Sequence, residues 1–304
     1  MKYSYSRVKS IFWKLSFVFL TGGTTFLSAG CSNEVKDIPS LITKINGIKI
    51  AFNSSNTPIS NFCSPANDQN VIIDGASILK SDIKSIIFSN TYSKVTNIEK
   101  NWLNGFSSLT SIDFQGMSNV VSIGNNFLDT SFNVNTQLNF DGLSKVETIG
   151  LSFLHNCNFN SVDFSGLTSL QSIAPKSNNA NFISYCDYWS TIDFNGLKLS
   201  EIPNSACLVF SSSEGSPDYV GCQIVDISKL TLTKIGSSFC ESAPNLSKFI
   251  VGDYSFSNEL MPDTTDCFDT IPSIGEIVAN TENIAKTWID NIPSFKGWKF
   301  TPQE

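Results

Sequence analysis

Apolar and polar positions alternate in short bursts along this chain, and the bursts return at a regular interval. In LTSIDFQG, from Leu109 to Gly116, the side chains of Leu109, Ile112 and Phe114 fall on one side of an extended segment, and Ser111, Asp113 and Gln115 fall on the other. Close variants follow as TQLNFDG from Thr136, NSVDFSG from Asn160 and STIDFNG from Ser190. The central residues Ile87, Asp113, Asn139, Asp163, Asp193 and Asp226 are separated by 26, 26, 24, 30 and 33 residues. A second landmark travels with the first: NIEKNW at Asn97, SIGNNF at Ser122, TIGLSF at Thr148 and KIGSSF at Lys234 each place an aromatic residue four positions after an isoleucine. Four residues further on stand Phe106, Ser131, Cys157 and Ala243, and NFISYC repeats this later half with Phe182 and Cys186.

A unit of about 25 residues cannot bury these apolar positions alone, whereas stacked units can. The pattern therefore predicts a solenoid whose equivalent strands stack in parallel at about 4.8 Å. Ile123 and Phe127 should line the opposite wall of its interior. Gly116, Gly142, Gly166 and Gly196 follow the strands where the chain must turn sharply, a position suited to a residue that tolerates positive φ. The segment TENIAKTWIDNIPSFKGWKF predicts a C-terminal helix with Ile284, Trp288 and Ile289 on one face. The expected organisation is a targeting segment at 1–30, a tether and N-terminal cap at 31–80, the solenoid at 81–274 and a C-terminal cap at 275–304.

LTSIDFQGMSNVVSIGNNFLDTS and VDFSGLTSLQSI resemble the leucine-rich repeats of the BspA type, found in bacterial surface proteins. The resemblance extends over roughly Ser85 to Val251 and is loosest at SIAPKSNNANF and CLVFSSSEGSPDYVGC. It implies a leucine-rich repeat solenoid with parallel strands on one face, and it adds adhesion to matrix or host proteins as the biological setting.

The start of the chain is of a different kind. Lys2, Arg7 and Lys9 precede an apolar stretch interrupted by Lys14, and LSAGC ends it at Cys31. This looks like a bacterial lipoprotein signal, in which cleavage before Cys31 leaves its thiol carrying a diacylglyceryl group. An ordinary secretory peptide cut near Ala29 is the alternative. The expected location is extracytoplasmic, at the cell surface or outer membrane, on a lipid anchor.

Charge sharpens the picture. The formal net charge is −7, but Lys2, Arg7, Lys9 and Lys14 lie in the first thirty residues; without them 16 basic and 27 acidic residues leave −11. Arg7 is the only arginine, so the remainder has no basic patch for a phosphate backbone, and nucleic acid is not an expected partner.

Catalytic chemistry is thin. His155 is the only histidine and stands where the preceding unit has Asp129, as a variable, solvent-facing residue would. Ser-His-Asp, Cys-His and multi-histidine metal sites are thereby removed, and there is no glycine-rich phosphate loop. The acids of PDTTDCFD (Asp263, Asp266 and Asp269) are three apart, whereas a calcium loop alternates its ligands every second residue. Neither an enzyme, a metal site nor a cofactor is expected.

Cys63, Cys157, Cys186, Cys207, Cys222, Cys240 and Cys267 contain no CxxC pair. Cys157 and Cys186 fit the small buried position of the repeat. Cys207 and Cys222 bracket the longest excursion, and a disulfide between them would staple its base.

What remains is the polar side of the strands. Asp113, Asn139, Asp163, Asp193 and Asp226 should form a row, flanked by Ser111, Gln137, Ser161 and Thr191 on one side and Gln115, Asp141, Ser165 and Asn195 on the other. Such a face would engage a protein or glycan ligand at the cell surface. The alternatives are a face that is polar only for solubility, and a structural or self-associating envelope spacer.

Overall fold

The structure is a computed structural model. It describes residues 41–304 other than 45–47, 53–58, 65–67, 74, 89, 132–136, 158–160, 175–179, 186–188, 208–220, 255 and 262–265. The chain winds as a parallel β-solenoid. Each polar–apolar burst is a short strand of a front wall: Ile83–Phe88, Ser111–Asp113, Gln137–Asn139, Ser161–Asp163, Thr191–Asp193, Ile224–Asp226 and Lys248–Ile250. Their register is that of the repeat. Ile86 pairs with Ile112 and Ile87 with Asp113; Val162 pairs with Leu138 and Asp163 with Asn139; Asp193 pairs with Asp226. The second landmark forms a further wall of two-residue strands, in which Ile98, Ile123, Ile149 and Ile173 stack, as do Ile202 and Ile235.

Parallel stacking extends into both segments expected as caps. Ile48–Phe52 runs parallel to Ile83–Phe88, and Leu41–Lys44 closes that end by pairing antiparallel to it. At the other end Glu276–Ala279 and Lys299–Pro302 continue the front wall in parallel. Between these two strands runs the helix α1 (Glu282–Asn291), with Thr281 Oγ1 accepting from the Ile284 N–H at its start (3.4 Å). Ile284, Ala285 and Trp288 are buried and Ile289 packs partly against the core, so the predicted apolar face exists. Trp288 lies edge-on to Phe249, Tyr254 and Phe256.

The interior is built from aromatic columns that follow the repeat. Trp102, Phe127, Phe153 and Phe182 stack nearly parallel, with centroids 5.2, 5.0 and 5.1 Å apart. Phe114, Phe140, Phe164 and Phe194 form a second column at 5.9, 5.8 and 6.4 Å. All eight are buried. Ring spacing close to the strand spacing lets each turn add one offset-stacked pair, about 1 kcal/mol beyond the area it buries.

The glycines after the front strands serve closeness more than conformation. Of Gly116, Gly142, Gly166 and Gly196 only Gly142 has positive φ (96°). What Gly142, Gly166 and Gly196 share is the backbone of the preceding turn. A Cβ on Gly166 would stand 2.7 Å from Asp141 N, and one on Gly196 2.6 Å from Phe164 C. The expected positive φ thus holds at one position of the four, and contact between turns governs Gly166 and Gly196.

Left-handed backbone is concentrated instead after the second landmark. Asn101, Asn126, Ser152, Asn181, Ser205, Ser238 and Asp266 all have positive φ at equivalent places, and Leu103, Leu128 and Leu154 repeat it two residues later. Asparagine and small polar residues adopt this region with least strain, which accounts for the Asn and Ser at these places. The leucines are held there by complete burial.

Candidate functional site: the outer face of the front wall

Asp113, Asn139, Asp163, Asp193 and Asp226 lie one above another on the outer face, exposed or half-exposed, as the alternation requires. Each has a duty that the sequence did not disclose. Asp113 Oδ1 accepts the Gln115 N–H (2.9 Å), Asn139 Oδ1 the Asp141 N–H (3.2 Å) and Asp163 Oδ1 the Ser165 N–H (2.8 Å). Asp193 and Asp226 accept in the same way from Asn195 (2.8 Å) and Ser228 (2.9 Å). These are Asx turns: the side-chain oxygen takes the N–H two residues on and ends the strand. Aspartate and asparagine both supply that oxygen, so the row tolerates either. Only one carboxylate oxygen is used in each turn, and the charge still faces outward.

The row is not a uniform ladder. The sheet is interrupted between Ser111–Asp113 and Gln137–Asn139, and again between Ser161–Asp163 and Thr191–Asp193. The second break falls where the repeat length changes from 24 to 30. There an open groove of about 520 Å³ lies on the face, with Gln137, Asn139, Ser161, Asp163 and Asp193 as its polar lining and Leu138, Val162 and Phe164 beneath. Burial raises the Asp193 carboxyl above its ordinary value, and the charges of Asp226 and Asp163 add to the effect against the Asn195 N–H bond and the Lys229 charge. The groove wall removes water from this carboxyl. Beyond Asp226 the equivalent positions are Ile250 and Val278, and before Asp113 comes Ile87, so the polar row is confined to the middle turns.

Other sequence candidates fall elsewhere. His155 sits one turn from Asp129 at the equivalent position, its Nδ1 3.0 Å from Asp129 Oδ1 and its ring edge-on to Tyr185. It is a half-exposed inter-turn pair and is remote in sequence register from the acidic row. Cys157 is buried as expected, but its thiol also donates to the Leu128 carbonyl (2.8 Å), as the Ser131 hydroxyl does to Leu103 one turn earlier. Cys31, the segment 1–30, Cys186 and Asp263 lie outside the described residues. Cys207 and Cys222 are not joined in the structure. The Cys222 thiol donates to the Ile224 carbonyl (3.5 Å), and the thiol beside Cys207 is that of Cys240. The stacking register, which sequence spacing alone did not reveal, makes this choice of neighbour. Among the described residues no three His, Cys, Asp or Glu side chains converge as a metal-ligand set, and no helix is long and apolar enough to cross a membrane.

One buried cation was not anticipated. Lys80 is fully enclosed, donates to the Asn104 carbonyl (2.8 Å) and stands 5.5 Å over the Phe106 ring. Desolvation lowers its pKa, partly opposed by Asp68. A lysine in SILKSDIKS, with Lys84 four residues on, gives no sign of this.

The chain matches no protein-family model, no curated protein and no solved structure.

Proposed function

We propose that this is a lipid-anchored surface protein, of the BspA-like leucine-rich repeat kind that its sequence resembles, which binds macromolecular partners through the outer face of its front wall. The partners are basic proteins or glycan-bearing molecules, and the role is adhesion or environmental interaction. The observation that carries this reading is the run of four carboxylates and one amide along successive turns, of which Asn139, Asp163 and Asp193 line a groove open to solvent. An extended field of one sign attracts a multivalent cationic partner and raises its association rate.

The Asx turns make a clean test available. Replacing Asp113, Asp163, Asp193 and Asp226 by asparagine keeps the strand-ending oxygen, as Asn139 does naturally, and removes the charge. The quadruple variant should unfold no lower than the parent, with any gain coming from Asp193, and lose about tenfold or more in binding to immobilised poly-L-lysine. Undiminished binding by the folded variant would overturn the proposal. Mass spectrometry of the mature N-terminus tests the anchor, which requires diacylglycerol on Cys31.

One observation favours a second reading. Because every acid of the row ends a strand, the residues would persist in a structural or self-associating envelope spacer with no ligand. Concentration-dependent sedimentation of the parent, unaltered in the quadruple variant, would support it.

A further inference from the structure

The inter-turn hydrogen bonds after the second landmark define one interior column. Leu128 N–H donates to Trp102 O (2.9 Å) and Leu154 N–H to Phe127 O (3.1 Å). The same bond runs from Ile183 to Ala206 (2.8 Å), from Cys207 to Phe239 (2.9 Å) and from Cys240 to Cys267 (2.8 Å). In each case the N–H reaches the carbonyl just before its equivalent in the neighbouring turn. The column is therefore Leu103, Leu128, Leu154, Ile183, Cys207, Cys240, Phe268. Two successive members are thiols, both buried (0% and 1% exposed). Their side chains are in hydrogen-bond contact.

We propose that Cys207 and Cys240 form a disulfide that locks these two turns together. Cys207 and Cys240 lie in turns, but the Cys207 N–H bond to Phe239 O (2.9 Å) holds them in parallel register. Neighbouring chains so bonded lie about 4.8 Å apart, inside the roughly 4.4–6.8 Å between Cα atoms that a disulfide spans. The bond would link the two residues on either side of the sequence excursion 208–220 that occupy one column, Cys207 immediately before it and Cys240 one turn on. The chemistry is thiol–disulfide exchange with an external disulfide, either a disulfide-bearing oxidoreductase or glutathione disulfide. One cysteine thiolate attacks the external disulfide and expels a thiolate. The second then attacks the mixed disulfide and expels the other. The two cysteine thiols give up two protons and two electrons, and the external disulfide leaves as two thiols. Exchange belongs to folding, before the column closes. In a chain folded while still reduced, burial pushes the Cys240 thiol well up and thiolate is scarce; a bond already formed is buried away from external reductant.

The test does not depend on where the protein resides. The full chain, kept soluble in mild detergent, is refolded in a mixture of reduced and oxidised glutathione, alkylated, digested without reductant and mapped by mass spectrometry. A peptide cross-linked between Cys207 and Cys240 is expected, and it should persist in Cys222→Ala and vanish in Cys240→Ala. Refolding in dithiothreitol should lower the Tm of the parent and of Cys222→Ala by on the order of 5 °C or more and leave that of Cys240→Ala unmoved. Recovery of both cysteines alkylated, or of Cys207 bonded to Cys222, would overturn the inference, as would an equal Tm loss in all three proteins.

Discussion

At the scale of the residue, the aspartates of the front wall join two roles that substitution can separate. In Asp193 one oxygen holds the Asn195 N–H while the carboxyl as a whole is raised above its ordinary 3.8 by burial in the groove. Between the unfolded and native values the folded chain binds the extra proton, so the contribution of this group is fully present below the unfolded value and is lost as pH rises through the native one. Asp193→Asn should therefore raise the Tm relative to the parent at neutral pH, with the gain shrinking on acidification. Asp193→Ala should instead lie about 1 kcal/mol below Asp193→Asn at every pH, because the Asn195 N–H loses its partner. Thermal melts of both variants across the acid range check this, and a destabilised Asn variant would show that the charge itself holds the turn. Lys80 runs the other way. Its lowered pKa means that the unfolded chain binds the proton more tightly, so its contribution to stability should grow as pH rises toward 10.5. A Lys80→Met variant, lacking this group, should show a correspondingly flatter alkaline melt profile.

Among the elements, the turn is the unit that the sequence wrote most legibly. The alternation of Ile112 and Phe114 with Asp113 gave strand, face and register, because period two has only one arrangement that buries the apolar set. The isoleucine–aromatic spacing gave the opposite wall for the same reason. The left-handed run was not legible: Leu128 and Leu154 look like ordinary core residues, and only their backbone shows that burial overrides local preference. The role of the row was half legible, since an Asx turn and an exposed acid use the same letter. The glycines were misread because close approach between turns is a property of two units and cannot be seen in one. That difference is measurable. Gly166→Ala drives a Cβ against the backbone at Asp141 and should cost roughly 3 kcal/mol in denaturant unfolding. Gly75→Ala meets nothing within 4 Å and bears only its positive φ of 81°, a cost of about 1 kcal/mol. Equal costs would mean that conformation, not contact, is what the repeat glycines provide.

Over the whole molecule, stability is distributed as it is in a stack: each turn touches its neighbours, and both ends are closed by different means. The N-terminal end is shut by the antiparallel strand Leu41–Lys44 and by the Phe62, Phe88 and Tyr92 cluster. The C-terminal end is shut by α1 and by Phe268, Phe295 and Trp298. In such an array the free energy is a sum of turns and of the interfaces between them, so damage should spread by adjacency. Phe153→Ala removes an interior member of the Trp102–Phe182 aromatic column and should cost about 3–5 kcal/mol. Its hydrogen exchange should accelerate in the turns of Phe127 and Phe182 while both ends keep their protection. Trp288→Ala should loosen only the turns of Phe249 and Tyr254, leaving the middle intact. The two exchange maps would then barely overlap. If either substitution accelerates exchange evenly along the chain, the solenoid unfolds as one cooperative block and the turn is not its unit of stability.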